Sequence, residues 1–260
     1  NQKRRAFFDL DGVLVDDRKR TIALLNKLVK CPDVANEENL QMLRNGDFSR
    51  QVLRKQLHWG DDMINNFRRQ FMQQGCGSEY AGMDSLFSGV RVVLEDLRSR
   101  GYEIVLCASK FEYRDVKGLL CRFGIEDCFD HIAAVGFAKE KFLKEHFKPF
   151  SRYDILLCSN IQDVKIGLGL KVVTIAGCYG FVSKMKFKEY EPDFFLTDFR
   201  QLTEWVKLIM DENVARTIQA IEATQGQHYV PNHFLKEWQC HGSAMWIRDA
   251  EGTHRKSSDD

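Results

Sequence analysis

Ala6-Phe7-Phe8-Asp9-Leu10-Asp11-Gly12 is an apolar run that ends in two carboxylates and a glycine. It reads as a buried strand, and residues i and i+2 of a strand point to the same side. Asp9 and Asp11 are therefore expected to converge at its carboxyl end. An ordinary turn explains Asp11-Gly12, but a turn needs no second acid two residues earlier. A carboxylate closing an apolar strand also costs free energy unless a partner offsets the burial. A divalent cation is one such partner, since Mg²⁺ takes oxygen ligands from one or two carboxylates together with phosphate.

Outward from this run, strand-like stretches recur at 102–108, 131–135, 153–158, 171–175 and 193–196. Helical patterns lie between them. Val90, Val93, Leu94 and Leu97 fall at i, i+3, i+4 and i+7, and so do Val116, Leu119, Leu120 and Phe123. Leu202, Trp205, Val206 and Ile209 repeat the spacing. Strand alternating with helix predicts the α/β class, with a parallel sheet covered on both faces. The stretch 16–85 breaks the alternation: helices fit at 21–29, 37–43, 48–57 and 61–73, and nothing there reads as a strand. One helix suffices for a crossover, so this stretch is expected to be a helical insertion. Parallel sheets bind ligands beyond the carboxyl ends of their strands, where an insertion after the first strand would form a cap. The expected division is a core of 1–15 and 86–211, a cap of 16–85, and a partly disordered extension, 212–260. The extension carries a helical pattern at Val214, Ile218 and Ile221 and a hairpin-like stretch at 247–253.

Composition narrows the partners. The 260 residues carry a formal net charge of +1, so no generic polyanion surface is expected and nucleic acid is not an expected partner. The longest mostly apolar stretch, Val172 to Val182, is too short to span a bilayer. Eight cysteines include no CxxC pair, and Cys107 and Cys158 lie inside apolar runs. A reducing compartment fits that usage better than a disulfide framework. No secretory leader is read before the first strand, so a cytoplasmic location is expected, with an organelle interior as the alternative.

Phe8-Asp9-Leu10-Asp11-Gly12-Val13-Leu14 resembles the first motif, DxDG(T/V)L, of the haloacid dehalogenase (HAD) superfamily, in the style of its phosphoglycolate phosphatases. Leu86-Phe87-Ser88-Gly89-Val90 is similar to the segment that follows the cap in that branch. Gly101-Tyr102 through Ser109-Lys110, then Phe123-Gly124-Ile125 and Phe129-Asp130, are similar to its second-motif region, and Pro192-Asp193-Phe194 to its closing strand. The resemblance covers about residues 6–210. It implies a Rossmannoid core with an α-helical cap and Mg²⁺-dependent hydrolysis of a small phosphorylated metabolite through an aspartyl-phosphate. Asp9 would be the nucleophile and Asp11 the general acid and base. Lys139, with Lys141 as second choice, would neutralise the phosphate. Ser109, Gly12 and Lys110 would bind it, and Asp9, Asp11, Asp163 and Asn160 would hold the metal.

Two positions depart from that pattern. Ala108 stands where a hydroxyl is expected, with Ser109 one residue later. Ser159 stands where the fourth motif begins with Asp, giving Ser159-Asn160-Ile161-Gln162-Asp163, similar to the metal-independent 2-haloacid dehalogenases. That branch generally lacks a carboxylate at the position of Asp11. Two alternatives follow: a catalytically weakened binding or structural subunit, and a 2-haloacid dehalogenase. Arg44, Arg50 and Arg54 would contact an anionic substrate or, more commonly for such residues, form a solvated face. His228, His233, His241 and Cys240 match no zinc spacing. A protein partner is a further expectation for 212–260.

Overall fold

A computed structural model describes residues 4–31, 33–75, 80, 82–109 and 112–210, and the backbone of two strands at 244–249 and 252–257. The chain begins with β1 (Arg4–Phe8) and β2 (Val15–Asp16), and β3 (Ser85–Leu86) follows a run of helices. Next come β4 (Tyr102–Ala108), β5 (His131–Ala134), β6 (Ile155–Cys158), β7 (Val173–Gly177) and β8 (Phe194–Leu196). Six of these form one sheet in the order β5-β4-β1-β6-β7-β8, every neighbouring pair parallel. This is the α/β parallel sheet expected from the alternation, in the Rossmannoid form that the resemblance implies.

β1 is an interior strand, with Ala6 opposite both Ile104 and Ile155. Its alternation divides the core. Ala6 and Phe8 face one apolar layer with Leu106 and Leu157, covered by α4 (Val90–Ser99), α5 (Tyr113–Phe123) and α8 (Leu202–Met210). Phe7 faces the other, covered by α6 (Lys139–Phe147) and α7 (Ile161–Leu170). α7 lies close on β7: a Cβ on Gly167 would sit 2.4 Å from Thr174 Oγ1, so only glycine fits there.

The structure departs from the sequence reading at the end of β1. The strand stops at Phe8, and Asp9 to Leu14 form a tight loop in which the N–H groups of Leu14 and Val15 both donate to Leu10 O, each at 3.0 Å. Gly12 takes φ +76° there, the left-handed region where glycine is favoured. A second departure is the antiparallel pair β2–β3, since 16–85 was read as free of strands. Two residues per strand leave no periodicity to find.

Between β2 and β3 run α1 (Arg18–Val29), α2 (Glu37–Arg44), a π-helical stretch (Ser49–Gln56) and α3 (Asp61–Gly75). Asn36 starts α2 by accepting from Asn39 N–H at 2.9 Å. These helices close around their own apolar cluster, which includes Leu25, Phe48, Leu53 and Phe67. Phe181, from the loop after β7, completes that cluster. β9 (Ala244–Asp249) and β10 (Gly252–Ser257) pair antiparallel, the hairpin read near 247–253. The helical pattern at Val214 to Ile221 lies outside the described residues. Among the described residues no helix is long and apolar enough to cross a membrane.

At the amino end of β1 the Arg5 guanidinium pairs with Asp154 (Nη2 to Oδ2 2.6 Å, Nε to Oδ1 3.2 Å), their side chains 8% and 0% exposed. Asp154 also accepts from the N–H groups of Arg5 and Ser151. Removing one partner of a buried pair leaves the other charge uncompensated. Asp154→Ala is therefore expected to cost about 3–5 kcal/mol, measured by urea denaturation.

Candidate active site

At the carboxyl end of β1 the Asp9 carboxylate is 4% exposed. Its Oδ2 accepts from Lys139 Nζ at 2.9 Å and Ser109 Oγ at 3.0 Å, and its Oδ1 accepts from Leu10 N–H at 2.7 Å and Ser109 N–H at 3.2 Å. Lys139, the first residue of α6, also donates to Asp163 Oδ2 at 2.8 Å. Asp163 lies in the first turn of α7, fixed by Asn160. The Asn160 Oδ1 accepts from Asp163 N–H (2.8 Å), and its Nδ2 donates to Asp163 Oδ2 (3.1 Å). One buried ammonium thus joins the ends of three elements.

Burial by itself would push the Lys139 ammonium down; Asp163 and Asp9 outweigh it and hold the group well above the ordinary lysine range. For Asp9 burial works upward, but Lys139 and the Leu10 N–H prevail and the carboxyl sits below its usual range. Asp163 goes the other way: burial dominates over Lys139, and the Asp9 charge adds to it. Of the two carboxyls, Asp9 is the one shifted toward its ionised form.

Asp11 turns to a different cation. Its Oδ1 accepts from Arg20 Nη2 at 2.9 Å, while Arg20 Nε donates to Asp84 Oδ1 at 2.9 Å and Nη1 to Gly75 O at 3.0 Å. Arg44, at the end of α2, donates to Asp17 (2.6 and 2.8 Å) and lies 4.9 Å from the centre of the Phe181 ring. Its guanidinium carbon is 3.5 Å from where a Cβ on Gly12 would be, so it reaches the loop after β1. Arg50 and Arg54 pair instead with Asp47 and Asp61 at the surface.

The family description "Haloacid dehalogenase-like hydrolase" matches residues 6–153, more than half of the sequence. The chain belongs to this family. No curated protein matches it by sequence. Among solved structures, the HAD-like fold recurs in a predicted phosphatase of Clostridium acetobutylicum (18% identity, TM-score 0.63, covering 79% of this chain and 99% of that one). It recurs in a haloacid dehalogenase-like protein of Streptococcus pneumoniae (17%, 0.62, 78% and 98%). A predicted phosphoglycolate phosphatase of Haemophilus somnus is also similar (21%, 0.59, 78% and 98%).

Set against the HAD motifs, the expected residues divide. Asp9, Ser109, Lys139, Asn160 and Asp163 come together. Asp11 does not join them by sharing a strand face, because β1 has already ended; it is drawn toward α1. Gly12 N–H donates to Val15 O at 2.8 Å, so it closes the turn rather than facing a phosphate. Lys110 lies outside the described residues. Ala108 ends β4 fully buried, and Ser109 supplies the hydroxyl one residue along. Ser159 Oγ donates to the Asp11 carbonyl at 3.2 Å. Arg20 had not been singled out, although the charge pattern offered a cue: it lies on the same face of α1 as Leu24, beside Asp16-Asp17.

Most of the oxygens expected to hold Mg²⁺ accept hydrogen bonds, Asp11 Oδ1 from Arg20 among them. A carboxylate offers about four lone-pair positions, and on Asp9 four donors fill them. Asn160 spends its amide oxygen on the helix cap, Asp163 Oδ2 takes two donors, and Ser159 replaces a carboxylate. Among the described residues no group of three or more His, Cys, Asp or Glu is arranged to hold a metal. This donor set does not fit a hard dication, although HAD phosphatases generally use Mg²⁺.

Lys139→Met would leave two buried carboxylates side by side, at an expected cost of about 3–5 kcal/mol. Without the ammonium both carboxyls rise above their unfolded values. Such groups favour the folded state at low pH and lose that contribution as pH climbs through the raised values. The variant should be least stable near neutrality and recover toward about pH 5. Thermal melts across pH, with Lys139→Met/Asp163→Asn as the partial rescue, test this.

Proposed function

We propose that the chain is a phosphatase that hydrolyses a small phosphate monoester, with Asp9 as nucleophile and Asp11 as acid and base. The observation that carries this reading is the Asp9 carboxylate, buried at the carboxyl end of β1 within hydrogen-bond distance of a lysine ammonium and a serine hydroxyl. The family supplies the hydrolase class, and two of the similar folds are described as phosphatases.

In the proposed reaction the ester's phosphoryl group approaches Asp9, and Ser109 and Lys139 shift their donors onto its oxygens. An Asp9 oxygen then attacks phosphorus while the bond to the ester oxygen breaks, and Asp11 gives that oxygen its proton. The ionised Asp11 next takes a proton from water, which attacks phosphorus, releases inorganic phosphate and restores Asp9. Charge neutralisation and in-line positioning carry the rate, and every step is assigned to residues of the chain. The insertion 16–85 serves as the cap, and Arg44 is its contact for the substrate's anionic groups.

Phosphate release from p-nitrophenyl phosphate and a panel of phosphorylated metabolites tests the reading. Asp9→Asn should lower kcat by about 10⁴-fold or more, and acid-quenched wild type should carry phosphate on the Asp9 peptide. Turnover that survives Asp9→Asn would remove the nucleophile assignment. Arg44→Met should raise KM about tenfold, the loss of one charge-assisted bond, with a smaller change in kcat.

A further inference from the structure

Arg20 is a charged residue in a place that ordinarily excludes charge, with a side chain 7% exposed. Burying a guanidinium is costly unless its donors are matched. Here they are matched by groups from different parts of the molecule. Nη2 reaches Asp11 in the catalytic loop and stands 3.8 Å from Asp17. Nε reaches Asp84, just before β3, and Nη1 reaches the carbonyl of Gly75, the last residue of α3. Asp17 and Asp84 flank the two-residue ladder β2–β3, through which both chain connections between sheet and helices pass.

Asp11 lies past the end of β1, in a loop with a left-handed glycine next to it, and no strand geometry aims its side chain. The planar, forked guanidinium does. Asp17 and Asp84 also face Arg20, so its charge is shared among three carboxylates while its Nη2 donor is aimed at Asp11. The aim of Asp11 is thereby tied to the placing of α1 and both connections.

We propose that Arg20 is a positioning residue for the reaction: it holds the Asp11 carboxyl on the leaving-group side, and does so only while the helical insertion is seated on the sheet. The proposal rests on the phosphatase reading above and adds to it the device that couples the cap to the acid.

A residue that acts through the general acid leaves a chemical signature. Protonation of the leaving oxygen matters greatly for an alkyl phosphate and little for p-nitrophenyl phosphate, whose leaving group is stable as an anion. The value of kcat/KM reports the first displacement alone. For Arg20→Met, kcat/KM toward glycerol phosphate should fall about 100-fold, and toward p-nitrophenyl phosphate at least about tenfold less than that. In an Asp11→Asn background, Arg20→Met should change the glycerol phosphate value by no more than about threefold, because the two residues act as one unit.

Equal losses on both esters, or an undiminished loss in the Asp11→Asn background, would overturn the proposal. If Arg20→Met does not fold, Arg20→Lys keeps the charge, loses the fork and is read in the same way. Wild type inactive on both esters, with no phosphate on Asp9, would instead remove the phosphatase reading. A crystal structure of the Arg20 variant then decides, and an Asp11 carboxyl unmoved from its wild-type position overturns the positioning role.

Discussion

The Lys139 ammonium, lodged between the carboxylates of Asp9 and Asp163, lets an apolar sheet end in acid. β1 buries Phe7 and Phe8 on opposite faces and then must place a charged group where water hardly reaches. An uncompensated carboxylate there would cost several kcal/mol. Lys139 removes the problem for two acids at once, and in doing so fixes the start of α6 and the first turn of α7 against the end of β1. Ser109 adds two donors from the end of β4. Four elements meet on one small charged group, and the ordering of the loop after β1 depends on it.

The two acids of the first motif are served by different parts of the molecule. Asp9 is held by residues of the sheet and its covering helices. Asp11, two residues on, is held by the first helix of the insertion. That division has a physical cause in the loop itself: once β1 ends at Phe8 and the backbone folds back onto Leu10 O, neighbouring side chains no longer share a direction. The sheet with its covering helices and the insertion thus each hold one of the two carboxylates.

The sheet was legible because it is long-range and repetitive. The apolar run at β4 and the helical spacing at Val90–Leu97 point to one architecture, and the long insertion stood out by lacking long strands. Asp9 was legible as a site residue because a carboxylate at the end of an apolar strand demands an explanation. The pairing of Lys139 was anticipated from a motif, while its bridge to Asp163 was not, since residues 24 apart carry no local signal. β2–β3 was too short to leave a pattern. Arg20 was hidden for a related reason: one cation on a helix face looks like a solvated residue until Asp11, Asp17 and Asp84, drawn from separate stretches, are folded around it.

Phe181 sits in a loop of the sheet domain, yet it packs in the apolar cluster of the helical insertion, with the Arg44 guanidinium stacked over its ring. The insertion therefore borrows part of its interior from the body that carries it. Such a segment is not a free-standing module, whatever its continuity along the chain suggests. Transplanting it onto a relative's core would leave a gap in its floor unless the loop after β7 travelled with it. Any repacking of these helices is thereby coupled to a loop more than a hundred residues away.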